Sequence, residues 1–142
     1  MANPLTLYIP IKQDQTTQDA AQAARKHFVS TYTPALDHFG KVHYARFVLI
    51  PNHAVPGKIL AICVMTSFDG PTNPYLTDFW NDPALREVFA GLAKMALADT
   101  SITDYTGFEN FINENNLSEI GELYQAYKYT VVQIKADVKY PA

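Results

Sequence analysis

Two apolar runs, Phe47–Ile50 and Ile59–Met65, are separated by only the eight residues PNHAVPGK. The intervening segment holds two prolines, an asparagine and a glycine, which is the chemistry of a tight loop, so the flanking segments VHYARFVLI and KILAICVMTSF read as a β-hairpin. Runs this continuously apolar belong to strands shielded on both faces. Whatever else the chain builds must therefore cover this hairpin.

The flanking sequence supplies the cover. LTLYIPIK alternates Leu5, Leu7, Ile9 and Ile11 with Thr6, Tyr8, Pro10 and Lys12, a period of two that predicts a half-buried strand. Pro10 cannot donate to a ladder and belongs at an edge or a bulge. A helix follows, with Thr16 or Thr17 as N-cap and Asp19 in its first turn. Its apolar stripe is Ala21, Ala24, Phe28, Tyr32, Leu36 and Phe39, with a kink or restart at Pro34 and an end at Gly40. Beyond the hairpin, Asn73 before Pro74 and Asp82 before Pro83 mark two further helix starts, the second carrying Leu85, Val88, Phe89 and Leu92. Residues 99–129 read as an irregular or short-helical insertion. TVVQIKADV alternates Val132, Ile134, Ala136 and Val138 with Val131, Gln133, Lys135 and Asp137, and reads as a fourth strand.

Strand, helix, strand, strand, helix, strand is the order of a ferredoxin-like α+β domain. It implies an antiparallel four-stranded sheet with both helices on one face and the second and fourth strands outermost. The length of 142 residues suits one such domain.

The helix-free face then limits what the protein does. Eleven basic and 14 acidic side chains give a formal charge of −3, with no run of five like charges. That is no footprint for nucleic acid or an anionic membrane. RNA recognition on such a sheet also wants stacking aromatics on the central strands, and KILAICVMTSF has none before Phe68. The N-terminus lacks the basic and apolar stretches of a signal peptide, and no segment approaches the ~18 apolar residues of a membrane span, so a cytoplasmic protein is expected. Cys63 is the single cysteine, set among apolar residues, and reads as a buried, inert thiol.

Between His43 and Pro71 the paired segments HYARFVLIP and ILAICVMTSFDGP resemble strands of the dimeric α+β barrel superfamily, which carry His-Phe-Ala-Arg and Ser-x-Phe-Asp-Gly. Members include antibiotic-biosynthesis-type monooxygenases and haem proteins of the chlorite dismutase and dye-decolourising peroxidase types. The resemblance implies a barrel of two sheets formed by a homodimer, with a pocket between each sheet and its helices or loops. Haem is among the cofactors it admits. It implies no single chemistry, because one fold carries many functions.

The residues themselves narrow the candidates. Alternation places His43, Ala45, Phe47 and Leu49 on one face of their strand and Tyr44, Arg46, Val48 and Ile50 on the other, so an unbulged strand cannot aim His43 and Arg46 into one cavity. Arg46 reads either as an ion-pair partner for Asp137 or a glutamate, or as the anchor of an anionic ligand, since its planar fork matches a carboxylate. His43 reads as a locally bonded strand-end residue or as a general base. Asp69 either closes the turn with Gly70 and Pro71 or orients His43 or Arg46 by a hydrogen bond. His43 and Arg46 are the catalytic candidates, and Tyr8, Tyr44, Phe68 and Asp69 the ligand-binding ones. Tyr8, Gln133 and Lys135 are expected to converge on the polar face. His27, His38 and His53 have no metal-ligand spacing, and no metal site, phosphate loop or nucleophile elbow stands out. Tyrosines and phenylalanines concentrate between Tyr75 and Tyr127, mostly as core, with a few available to an apolar pocket. The expectation is a small hydrophobic or aromatic ligand, bound or oxidised in that pocket. The competing reading is a homodimerisation or protein-interaction module without catalysis.

Overall fold

A computed structural model describes residues 2–98, 102–119 and 121–137, apart from the side chains of Thr72, Asn73 and Asp137. Three strands, β1 (Ala2–Pro10), β2 (Val42–Pro51) and β3 (Ile59–Asp69), form an antiparallel sheet in the order β1-β3-β2. The expected hairpin is present, with β3 central. Leu7 faces Val64, which faces Phe47; Tyr8 faces Cys63, which faces Val48. Directly opposed residues share a face, so Leu5, Leu7, Ile9, Ile62, Val64, Ala45 and Phe47 lie together under the helices.

Helix α1 (Gln15–Phe39) is unbroken, and Pro34 lies inside it rather than dividing it. Its N-cap is Asp14, not Thr16 or Thr17. The Asp14 carboxylate accepts from the Thr17 N–H at 2.9 Å and the Thr17 hydroxyl at 2.8 Å, and those bonds hold its pKa below the ordinary value. Gly40 ends the helix at φ 71°, a left-handed conformation open to glycine at no steric cost. The helix is fastened to the sheet by Gln18, whose buried amide donates to the Ile59 carbonyl and accepts from the Ile59 N–H at 2.7 Å.

Helix α2 (Thr72–Asn81) begins one residue before Asn73, so Asn73 is not its cap and Pro74 falls in the first turn, where a missing N–H costs little. Helix α3 (Pro83–Met95) starts as expected, with the Asp82 carboxylate accepting from the Ala84 and Leu85 N–H groups. Within the expected insertion lies α4 (Tyr105–Asn115), capped by Asp104. An aromatic cluster joins these helices to β3: Phe68 and Tyr75 stack with centroids 3.6 Å apart, and Phe79, Phe89 and Phe108 continue it edge to face.

The fourth strand does not form. Val131–Asp137 is a short helix, α5, and the sheet has three strands among the described residues. The reason lies in Thr130 and Gln133. The Thr130 hydroxyl accepts from the Gln133 N–H at 3.2 Å, and the Gln133 amide oxygen accepts from the Thr130 N–H at 2.8 Å, a reciprocal capping box. Val131 is buried and Ile134 half-buried, a spacing of three that a helix can present to one neighbour. The outer edge of β1 is met instead by irregular chain. Leu97 N–H donates to Pro10 O, Leu117 N–H to Thr6 O, and the Gln125 side chain accepts from the Ala2 N–H. These scattered bonds satisfy an edge that would otherwise present open backbone groups.

No helix among the described residues is long and apolar enough to cross a membrane.

Candidate functional site

The β2–β3 register slips by one residue between Val42 and Tyr44, leaving His43 as the extra residue of a β-bulge. A bulge re-aims a side chain that strict alternation would fix. His43 consequently turns to the end of the sheet, where its Nε2 lies 2.7 Å from Asp69 Oδ1, both side chains being almost enclosed. The other carboxylate oxygen, Oδ2, accepts from the Val131 N–H at 2.7 Å, at the start of α5. One carboxylate thus ties the bulge, the end of β3 and the last helix together.

The tautomer follows from this geometry. Opposite an ionised Asp69, a neutral imidazole must carry its proton on Nε2, which leaves Nδ1 as a lone-pair acceptor. Nδ1 has no hydrogen-bond partner among the described residues. The pair has the composition of a base oriented by a carboxylate. Of the two orienting roles open to Asp69, the bond to His43 forms and that to Arg46 does not.

Two cavities flank the second half of α1, and one of them reaches His43. The first, of about 380 Å³, lies between the second half of α1, the start of β2 and α5, and His43 is on its wall. Lys135 and Asp37 approach to 3.8 Å on its rim, an exposed pair worth roughly 0–1 kcal/mol. The second cavity, of about 330 Å³, lies between α1, α3 and the helix side of the sheet, and its lining is overwhelmingly apolar. Both use Phe28, Tyr32, Leu36 and Ala45, so the two spaces flank one partition.

The partition explains why the space exists. The stripe of α1 falls where expected, but only Thr17, Gln18 and Ala21 at its start are buried; Ala24, Phe28, Tyr32 and Leu36 are half-buried and line the cavities. Phe28 reaches across to Phe47 with ring centroids 5.4 Å apart. Burial, and secondly the negative charge of Glu87, keep the Tyr32 phenol above its ordinary pKa, so it remains a hydrogen-bond donor.

The other candidates disperse. Arg46 is exposed on the opposite face of the sheet, lines neither cavity and forms no ion pair among the described residues; the side chain of Asp137, its expected partner, lies outside them. Tyr8 also lies on that opposite face, half-buried beside Cys63. Gln133 and Lys135 are on α5, so the expected convergence with Tyr8 does not occur. Tyr44 borders the first cavity but is 81% exposed. Phe68 is fully buried in the aromatic cluster and bounds neither cavity. Cys63 is half-buried rather than buried, and burial raises its thiol pKa, which disfavours the reactive thiolate. His43, the one histidine on either wall, engages Nε2 with Asp69, and Arg46 lines neither cavity.

Sequence reasoning missed Tyr32 as a shared wall, Thr66 on the cavity floor and the link from Asp69 to α5. The capping-box pattern from Thr130 to Gln133 was the available signal for the last of these. Comparison of the chain with protein-family models, curated proteins and solved structures finds no match.

Replacing Asp69 with alanine removes both bonds and leaves a largely buried imidazole and an uncapped amide. Unfolding free energy should fall by about 1–3 kcal/mol, seen as a lower urea midpoint, and the Val131 amide should exchange its hydrogen faster. An unchanged midpoint together with unchanged exchange would contradict the linking role.

Proposed function

We propose that this protein binds a small hydrophobic molecule between α1, α3 and its sheet, with His43, oriented by Asp69, on the wall of the adjoining cavity as an acid–base group. The observation that carries the reading is the adjoining pair of cavities, one apolar and one containing His43, each within the size range of small-molecule sites. His43 is the catalytic candidate retained and Arg46 is not, because only the former lies on a cavity wall. The chemistry available to His43 is proton transfer through Nδ1, as a general base or acid toward a group that reaches the first cavity. The half-buried, unactivated Cys63 fits a reducing, cytoplasmic setting.

The test uses a neutral solvatochromic dye such as Nile red. Wild-type protein should bind it at micromolar concentration and gain thermal stability, since saturation at 100 times Kd adds about 2.7 kcal/mol. Val88→Trp places an indole into the apolar cavity and should weaken binding at least tenfold with the circular dichroism spectrum retained; Arg46→Ala should leave binding unchanged. Loss of binding in Arg46→Ala, or none in wild type, would overturn the assignment.

A second element of the proposal concerns the other face of the sheet. Val48, Ile50, Met65, Cys63 and Tyr8 lie there half-buried, which is an apolar surface of the kind that self-association covers. We infer a homodimer joined through this face. Light scattering on the eluting protein should give twice the chain mass, and Val48→Asp should halve it. A wild-type monomer at tens of micromolar would refute the dimer and leave the cavity reading untouched.

A further inference from the structure

Resting on the ligand-binding reading above, the next question is what kind of molecule the apolar cavity takes. Its polar contributors are few. Thr31, Tyr32 and Glu87 belong to the helical side, whereas Thr66 is the polar side chain on the sheet floor. Among the described residues the Thr66 hydroxyl donates one hydrogen bond, a long 3.4 Å approach to the carbonyl of Leu5, the residue it faces across the ladder. At that length little is lost if its hydrogen turns elsewhere.

Behind Thr66 stands Tyr75. Its ring is held rigidly by Phe68 on one side and by Phe39 and Phe79 at its edges. Its hydroxyl is buried with no hydrogen-bond partner among the described residues. Thr66 is near enough to influence it, yet the two are not in hydrogen-bonding geometry, and burial holds the phenol's pKa well above its ordinary value. An isolated buried hydroxyl is uncommon, because an unmet one carries its desolvation penalty uncompensated.

We infer that the ligand of the apolar cavity is a neutral molecule bearing one carbonyl or hydroxyl oxygen at its inner end, received by the Thr66 hydroxyl with Tyr75 behind it. When Thr66 donates to that oxygen, its own lone pairs are free to accept the Tyr75 O–H, so one ligand atom completes a chain of two hydroxyls. Charge decides between neutral and ionised oxygen. Among the described residues no lysine, arginine or histidine lines this cavity, and Glu87 sits on its edge, so a carboxylate at the floor would be an uncompensated buried anion. Neutral apolar ketones and alcohols fit; fatty-acid anions do not.

The experiment is calorimetric titration of the full chain with 2-acetylnaphthalene, 2-ethylnaphthalene and 2-naphthoate, which share a ring system and differ in the terminal group. Wild type should prefer the ketone to the hydrocarbon by about tenfold, the scale of one hydrogen bond, and bind the carboxylate weakest. Thr66→Val should erase the preference by weakening the ketone alone. Tyr75→Phe should reduce the preference while melting no lower than wild type, because it deletes a hydroxyl that has no partner. This second variant keeps the test open if Thr66→Val does not fold. Equal binding of ketone and hydrocarbon, tightest binding of the carboxylate, or a preference that survives both substitutions would overturn the inference while leaving the cavity as a binding site. Failure of every probe to bind wild type would instead overturn the ligand-binding reading itself.

Discussion

The Asp69 carboxylate is the point on which the end of this molecule depends. One oxygen holds His43 at 2.7 Å and the other holds the first amide of α5 at the same distance. The neighbouring Asp69 N–H closes the sheet by donating to the Lys41 carbonyl at 2.8 Å. Removing a group that is largely enclosed and bonded through both oxygens leaves two donors stranded together. The bulge that carries His43, the seat of α5 and the wall of the first cavity therefore form one mechanical unit. A neutral residue at position 69 would loosen all three.

The second constraint is the length of α1. Fastened at its start by Gln18 and Ala21, the helix runs 25 residues over the sheet, and its later apolar side chains span open volume before meeting β2. Core packing around Phe68, Tyr75 and Phe108 is complete, so the space left under Phe28 and Tyr32 contrasts with a tightly filled neighbour. Interiors ordinarily reach the density of organic crystals, and the departure is local. A molecule placed there would restore contacts to side chains that are already oriented, at little further cost in side-chain entropy.

Much of the fold was legible from patterning alone. The hairpin from Val42 to Asp69, the strand at Leu5–Ile11, the helical stripe from Ala21 to Phe39 and the Asp82–Pro83 helix start all express a single period or a single cap. The last segment was misread because its seven helical residues satisfy a period of two as well as contacts at three, and periodicity cannot separate these over so short a run. The capping pair Thr130 and Gln133 decides for the helix. Of the candidate site, His43 with Asp69 was accessible as one of two orienting bonds, whereas the alternation that separates His43 from Arg46 in an unbulged strand is broken at His43 itself. The bulge was not accessible, since it arises from how Asp69 and Lys41 close the sheet rather than from any residue preference at position 43. Neither was the polar floor at Thr66, which depends on a partner nine residues away whose ring is fixed by tertiary packing.

Asp69 fixes one tautomer of His43, on the wall of the first cavity, and leaves Nδ1 without a partner among the described residues. Long-range proton–nitrogen correlation of the four histidine rings, recorded at a pH where they are neutral, tests it directly. The His43 ring should carry its proton on Nε2 alone, with an Nδ1 shift typical of a bare acceptor, and Asp69→Ala should return it to the exchanging mixture of the exposed His27 and His38. A His43 ring protonated on Nδ1, or averaging between tautomers in the wild-type protein, would contradict the account.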